Sequence, residues 1–232
     1  MSSKRKIGQI LAGVLFTLLL SIFILLLSFA QITDYTKLKP HVVDLSAKQI
    51  PEAQKEQLRL FISQNCQNSK TAEIKLGNDT VTVSCQSNDV IREIAENTFD
   101  NLYFRNYSCT ILDCLKNQQT MFAVFSLKAN NFFNGYALIF AMLTVLSAVF
   151  LVYFLSGWGI PKGIGISLVS VGISYFIIGF AKNSIPQEIL SLAGPLINLI
   201  IDTIAYNFLL VLIPGIILTV IGVIGSHLSR RK

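Results

Sequence analysis

Apolar residues fall into two patterns along this chain, long unbroken runs and short alternating ones, and the two occupy different stretches. Residues 7–30 include no charged side chain, and neither do 136–161, 163–181 and 208–226. A helix rises about 1.5 Å per residue, so roughly 20 residues cross the ~30 Å hydrocarbon core of a bilayer. All four runs are long enough to span, the third and fourth only just. The expected order is a basic tail (1–6), spans at 7–30, 136–155, 163–181 and 204–226, a turn at 156–162, and a second basic tail (227–232). The first run is about twice the usual apolar core of a signal peptide, which favours an uncleaved anchor.

Residues 31–135 follow a different rule. Residues 33–40 read as a polar linker. Pro51 suits the first helical position, and Leu58, Phe61 and Ile62 then share one face of a helix ending near Gln64. From Thr71 to Cys85 polar and apolar residues alternate. With Asn78 and Asp79 as a two-residue turn, Leu76 faces Val81, Ile74 faces Val83 and Ala72 faces Cys85, which puts every apolar side chain on one face of a hairpin. Ser87, Asn88 and Asp89 supply helix-start chemistry for a helix carrying Ile91, Ile94, Ala95 and Leu102, with Phe99 at its edge. Helix resumes near Asn117, and Phe122, Phe125, Phe132 and Phe133 lead toward the second span.

Between the third and fourth spans, residues 182–203 are too polar for a deep span. Gln187, Ser191, Gly194, Asn198 and Asp202 form one stripe, against Ile185, Ile189, Leu192, Leu196, Leu199 and Ile200. That pattern predicts an amphipathic helix in the outer interface, or a re-entrant one, with Gly194-Pro195 as a kink. Asn198 and Asp202 are the polar pair that could face an intramembrane cavity. The fold class expected is a mainly α membrane protein with four transmembrane helices, an outer interfacial helix and a small α+β disulfide-stapled domain.

Composition agrees, with 52% apolar and 14% charged residues in 232. Charge adds orientation. Lys4, Arg5, Lys6, Lys162, Arg230, Arg231 and Lys232 give +7, Lys182 against Glu188 and Asp202 gives −1 for the net +6, and 31–135 is neutral, with eight Lys and three Arg against six Asp and five Glu. By the positive-inside rule both termini and Lys162 are cytoplasmic and 31–135 is outside, in a cell membrane. The lipid bilayer is thus a partner. Nucleic acid is excluded, because no basic patch exists beyond these short flanks.

Cys66, Cys85, Cys109 and Cys114 all fall in 31–135, and an even number outside reads as two disulfides. Their spacings lack the C-x-x-C knuckle of a zinc site. The expected pairs are Cys66–Cys85, tying a helix end to the second strand, and Cys109–Cys114. The second pair demands a non-helical turn, since residues five apart on a helix lie beyond disulfide reach. Asn78-Asp79-Thr80 and Asn106-Tyr107-Ser108 are acceptor triplets for N-glycosylation, with Asn78 the better placed on its turn.

Gly165, Gly172 and Gly179 recur every seven residues in the third span, as do Gly215 and Gly222 in the fourth. Positions seven apart stay within about 20° on a helix, so each set makes a smooth stripe, and the two spans are expected to pack with Gly172 against Gly222. Reactive constellations are lacking. The two histidines, His41 and His227, are assigned to opposite sides, and there is no phosphate-cradling loop and no H-E-x-x-H. Neither a cofactor nor a metal site is expected, and no enzyme. The order of segments resembles the four-span layout of claudins and tetraspanins. Neither the claudin tryptophan with paired cysteines nor the tetraspanin Cys-Cys-Gly is present, so the resemblance implies topology alone. The function expected is a non-enzymatic membrane protein presenting its outer domain to a protein partner, in a homo- or hetero-oligomer, through that domain or the glycine stripes. The alternatives are a sensor or accessory subunit coupled through its helices, and a small transporter or lipid-handling protein using Asn198 and Asp202.

Overall fold

The computed structural model describes residues 3–67, 69–76, 79–87, 89–116 and 121–229. In chain order the elements are α1 (Ser3–Ile32), α2 (Tyr35–Gln49), α3 (Glu52–Asn65), β1 (Thr71–Leu76), β2 (Asp79–Ser84), α4 (Val90–Tyr103), α5 (Ile111–Lys116), a 3-10 turn (Met121–Phe125), α6 (Leu127–Phe154), α7 (Gly159–Gly172), α8 (Ser174–Asn183) and α9 (Gln187–Ser229). They sort into two compact units. The apolar unit holds Met1–Gln31, Asn131–Ile185 and Ile200–Lys232; the globular unit holds Ile32–Asn130 and Pro186–Leu199.

The globular unit is built on α4. Its first turn starts at Asp89, whose carboxylate accepts the Arg92 N–H and so satisfies an otherwise orphaned donor. On one side, Ile94 joins Ile62 of α3 and Ala72, Ile74, Val81 and Val83 of the hairpin in a core. On the other, Ala95, Phe99 and Tyr103 pack with Leu38 and Val43 of α2, and Leu196 and Leu199 of α9 close that second core. Two polar bonds hold α4 on β2: Glu93 accepts the Ser84 N–H at 2.7 Å, and the Asn97 amide donates to the Thr82 carbonyl at 2.7 Å.

Three expectations change here. The polar linker is helix: Asp34 caps α2 by accepting the Thr36 N–H, and Tyr35, Leu38 and Val42 fall on one face although Pro40 lies inside. The hairpin pairs two residues away from the expected register, with Ile74 opposite Val81 and Ala72 opposite Val83. Its faces are preserved, because side chains alternate with a period of two. The pair Leu76 and Asp79 closes the ladder, and residues 77–78 lie outside the described residues. Finally, α6 starts at Leu127, so Phe132 and Phe133 belong to the long helix itself.

In the apolar unit four helices are long and apolar enough to cross a membrane: Lys6–Ile32, Leu127–Phe154, Gly159–Asn183 and Ala193–Ser229. The third is α7 and α8 taken together, with a turn at Ile173 whose N–H still bonds the Val169 carbonyl. The amphipathic stretch 182–203 is not a separate helix. Asn183 ends α8, and Gln187 opens α9, which runs to Ser229 with non-helical backbone at Ala193 (φ −129°, ψ 17°). The break falls one residue before the expected Gly194-Pro195, and Pro195 then sits in the first turn of the resumed helix, where its missing N–H costs nothing. The unit's core runs through Ala12, Phe16, Leu20 and Ile24 of α1, Leu151 of α6, Val171 of α7 and Phe208 of α9.

Candidate functional site

The residues singled out by sequence are divided between the two units. Both disulfides form as paired above, and among the described residues no cysteine is free. Cys66 caps the end of α3, and Cys85 follows β2, with Cα atoms 5.6 Å apart. The short loop has the turn it needs: Thr110 caps α5, its hydroxyl accepting the Asp113 N–H, which leaves Cys109 outside the helix and Cys114 on it, 5.5 Å apart. Lys128 secures the same stretch by donating at 2.7 Å to the carbonyls of both Tyr107 and Cys109. Of the two glycosylation triplets, Asn106 is exposed in the irregular segment after α4, and Asn78 lies outside the described residues.

Glycines let α7 and α9 approach closely in the apolar unit. A Cβ on Gly172 would sit 2.6 Å from Leu212 Cα; one on Gly215 would sit 2.8 Å from Val169 N and Leu168 Cβ. On Gly165 it would meet the Thr219 backbone and, at 2.9 Å, the Gly215 carbonyl; on Gly222 it would lie 2.7 Å from Lys162 Cα. Pairs 162/222, 165/219, 169/215 and 172/212 describe one antiparallel register of α7 on α9. The two stripes therefore do pack on the neighbouring helix, but Gly172 meets Leu212 and Gly222 meets Lys162. The expected Gly172–Gly222 contact is ten residues out of register. Gly179 has nothing within 4 Å of its added Cβ.

Asp202 is 63% exposed at its side chain and accepts from Lys182 Nζ at 2.7 Å, at the end of α8 where a cation also suits the helix dipole. Asn198 belongs to the globular unit, and its Oδ1 is buried without a hydrogen-bond partner. The polar cluster buried in the apolar unit is one the sequence reading missed. The Asn207 amide donates to Ser28 Oγ at 2.9 Å and to Gln31 Oε1 at 3.1 Å, joining α9 to α1 across 179 and 176 positions. Asn207 follows a run of helix-compatible residues with no partner nearby in sequence, so only distance in the fold reveals it.

In the globular unit Tyr35 donates to Asp100 Oδ1 at 2.8 Å, and Lys39 Nζ donates to both Tyr35 Oη and Asp100 Oδ2 at 2.8 and 2.9 Å. Burial alone would lower the Lys39 ammonium, but the hydrogen bonds to Tyr35 and Asp100 outweigh it and hold its pKa above the ordinary value. Burial also pushes the Tyr103 phenol up, reinforced by the Asp34 charge, and its O–H donates to the Thr33 carbonyl at 2.9 Å. These groups brace the α2–α4 contact; every one has a partner within the unit.

Among the described residues no three His, Cys, Asp or Glu side chains are grouped to hold a metal ion. The chain matches no family model, no curated protein and no solved structure. Its four long apolar helices and two disulfides are compatible with a multi-pass membrane protein.

Proposed function

We propose that this is a non-enzymatic multi-pass membrane protein whose apolar unit is embedded in lipid and whose globular unit stands outside the cell membrane as a binding or assembly surface for a protein partner. The observation that carries the membrane part is an inversion of side-chain sorting. In the apolar unit Leu146, Val149, Tyr153, Ile177 and Phe180 are exposed by 64 to 78%, while Ser28, Thr144, Ser147, Ser167 and Asn207 are buried. Water as solvent would demand the reverse. Lipid tails give apolar side chains no reason to leave the surface, and close packing with internally bonded polar groups holds the helices together. Four of them are bonded internally: the hydroxyls of Ser28 and Thr144 donate to the carbonyls of Ile24 and Phe140 one turn back, Ser147 donates to the Thr144 carbonyl, and the Asn207 amide donates to Ser28 and Gln31.

Orientation rests on the basic residues at 4–6, 162 and 230–232. The assembly role rests on a compact unit with its own cores and both disulfides. A second reading, a sensor subunit, is favoured by α9, which supplies Leu196 and Leu199 to the globular core and continues into the apolar unit.

The test is labelling with a membrane-impermeant maleimide. Thr80→Cys should react in intact cells and Lys162→Cys only after lysis. The opposite result overturns the orientation, and release of the protein by alkaline carbonate overturns the membrane reading. Crosslinking in native membranes that finds only monomer would remove the assembly role.

A further inference from the structure

We infer that the end of the apolar unit where Lys162 approaches α9 is a binding site for the headgroup of an anionic phospholipid. The inference rests on the membrane reading and names the lipid chemistry that reading would require.

The site is a pocket of about 390 Å³ with two kinds of wall. Lys162, Ser226 and His227 line it with an ammonium, a hydroxyl and an imidazole, and Val223, Ile224 and Leu228 supply an apolar side. Glycines make it possible. Gly222 lets the Lys162 backbone lie directly on α9, and Gly225 does the same for the Trp158 ring, so the turn that carries the cation is clamped to the helix. The same end gathers the start of α1 and the end of α6, since the Gln9 amide donates to the Phe154 carbonyl at 2.7 Å and Gly8 lies under the Phe154 ring.

Charge then selects the occupant. The residues of the apolar unit include one acid, Asp202, and it is bonded to Lys182. Lys162 therefore has no carboxylate of its own unit to neutralise it. Lys6 adds to the excess in the opening turns of α1, and in sequence Arg230, Arg231 and Lys232 follow the pocket. An uncompensated cation at a bilayer surface attracts anionic lipid by about 1 kcal/mol per residue. A free phosphate would use the polar wall alone. A phospholipid uses both walls, its phosphate at Lys162 and its chains along Val223, Ile224 and Leu228. Trp158 and Tyr153, 48% and 78% exposed, are the aromatic residues expected at headgroup depth.

Trp158 is the only tryptophan in the chain, so its emission reports on this site. The purified protein in non-ionic detergent is titrated with phosphatidylglycerol, phosphatidylcholine or inorganic phosphate while the fluorescence is followed. Phosphatidylglycerol should produce a saturable change at a concentration about tenfold below that of phosphatidylcholine, and phosphate should produce none. Lys162→Gln should weaken phosphatidylglycerol binding about fivefold, the equivalent of one basic residue, with unchanged circular dichroism. Lys182→Gln should leave binding as in the parent. Equal response to the two lipids, or Lys162→Gln binding like the parent, overturns the site. A response to phosphate equal to that with phosphatidylglycerol overturns the lipid assignment. Flotation with phosphatidylcholine vesicles keeps the two readings apart: protein that fails to float defeats the membrane reading, and protein that floats without lipid preference defeats the site alone.

Discussion

The two units of this chain use the same residue types in opposite ways. In the globular unit Leu38, Val43, Val81, Val83 and Phe99 are buried and the charged residues lie outside, so apolar area removed from water holds it together. In the apolar unit many large side chains, among them Leu146, Tyr153, Ile177 and Phe180, face outward around a core of Phe16, Leu20, Ile24 and Phe208, and close contacts are made where side chains are missing, at Gly165, Gly172, Gly215 and Gly222. In the lipid medium proposed for this unit, which does not repel hydrocarbon, only packing and internal hydrogen bonds remain as cohesion. Substitutions of the same kind should therefore have different consequences in the two units.

The largest effect expected is from Phe99→Ala. Phe99 is 6% exposed at the α2–α4 core, and its loss should cost about 3 to 5 kcal/mol of globular-unit stability. Phe180→Ala, at 77% exposure in the apolar unit, should leave unfolding in detergent unchanged. Comparable losses in both variants would break the contrast. Next is the paired substitution Cys66→Ser with Cys85→Ser. Opening that loop should cost about 3 kcal/mol, read by denaturant melts of the globular unit, while the apolar helices keep their far-ultraviolet signal.

Gly165→Leu should destabilise the apolar unit by about 1 to 3 kcal/mol, because its side chain would enter the Thr219 backbone. Gly179→Leu, into open space, should melt like the parent, and a matching loss there would mean that the glycine stripes do not act through α9. The smallest effect is with pH. Lys39 and Tyr103 both have folded pKa values raised above their unfolded ones, so the stability each contributes is complete below about pH 10 and fades as pH rises through the raised value. Denaturant midpoints measured from pH 8 upward should fall at the alkaline end for the parent, and less steeply for Tyr103→Phe.

Sequence alone determined whatever depends on local period or reach. Uncharged runs mark the four helices long and apolar enough to cross a membrane, since that property depends on length and composition alone. The start of α3 at Pro51 was legible because proline's fixed φ and missing N–H suit a helix start, and that of α4 because the Asp89 cap acts within a single turn. Both disulfide pairs followed from spacing and reach, and both faces of the hairpin from alternation. Tertiary structure decided whatever several local solutions fit equally well. A hairpin shifted by two residues keeps the same faces, so packing against Ile62 and Ile94 chose the register. Glycines repeated every seven residues permit contacts at several offsets, and the fit of whole helices placed Leu212, rather than Gly222, on Gly172. Pro40 masked α2, whose stability comes from burying Leu38 and Val43 against α4. The bond from Asn207 to Ser28 spans 179 positions, and only the folded chain brings its two ends within reach.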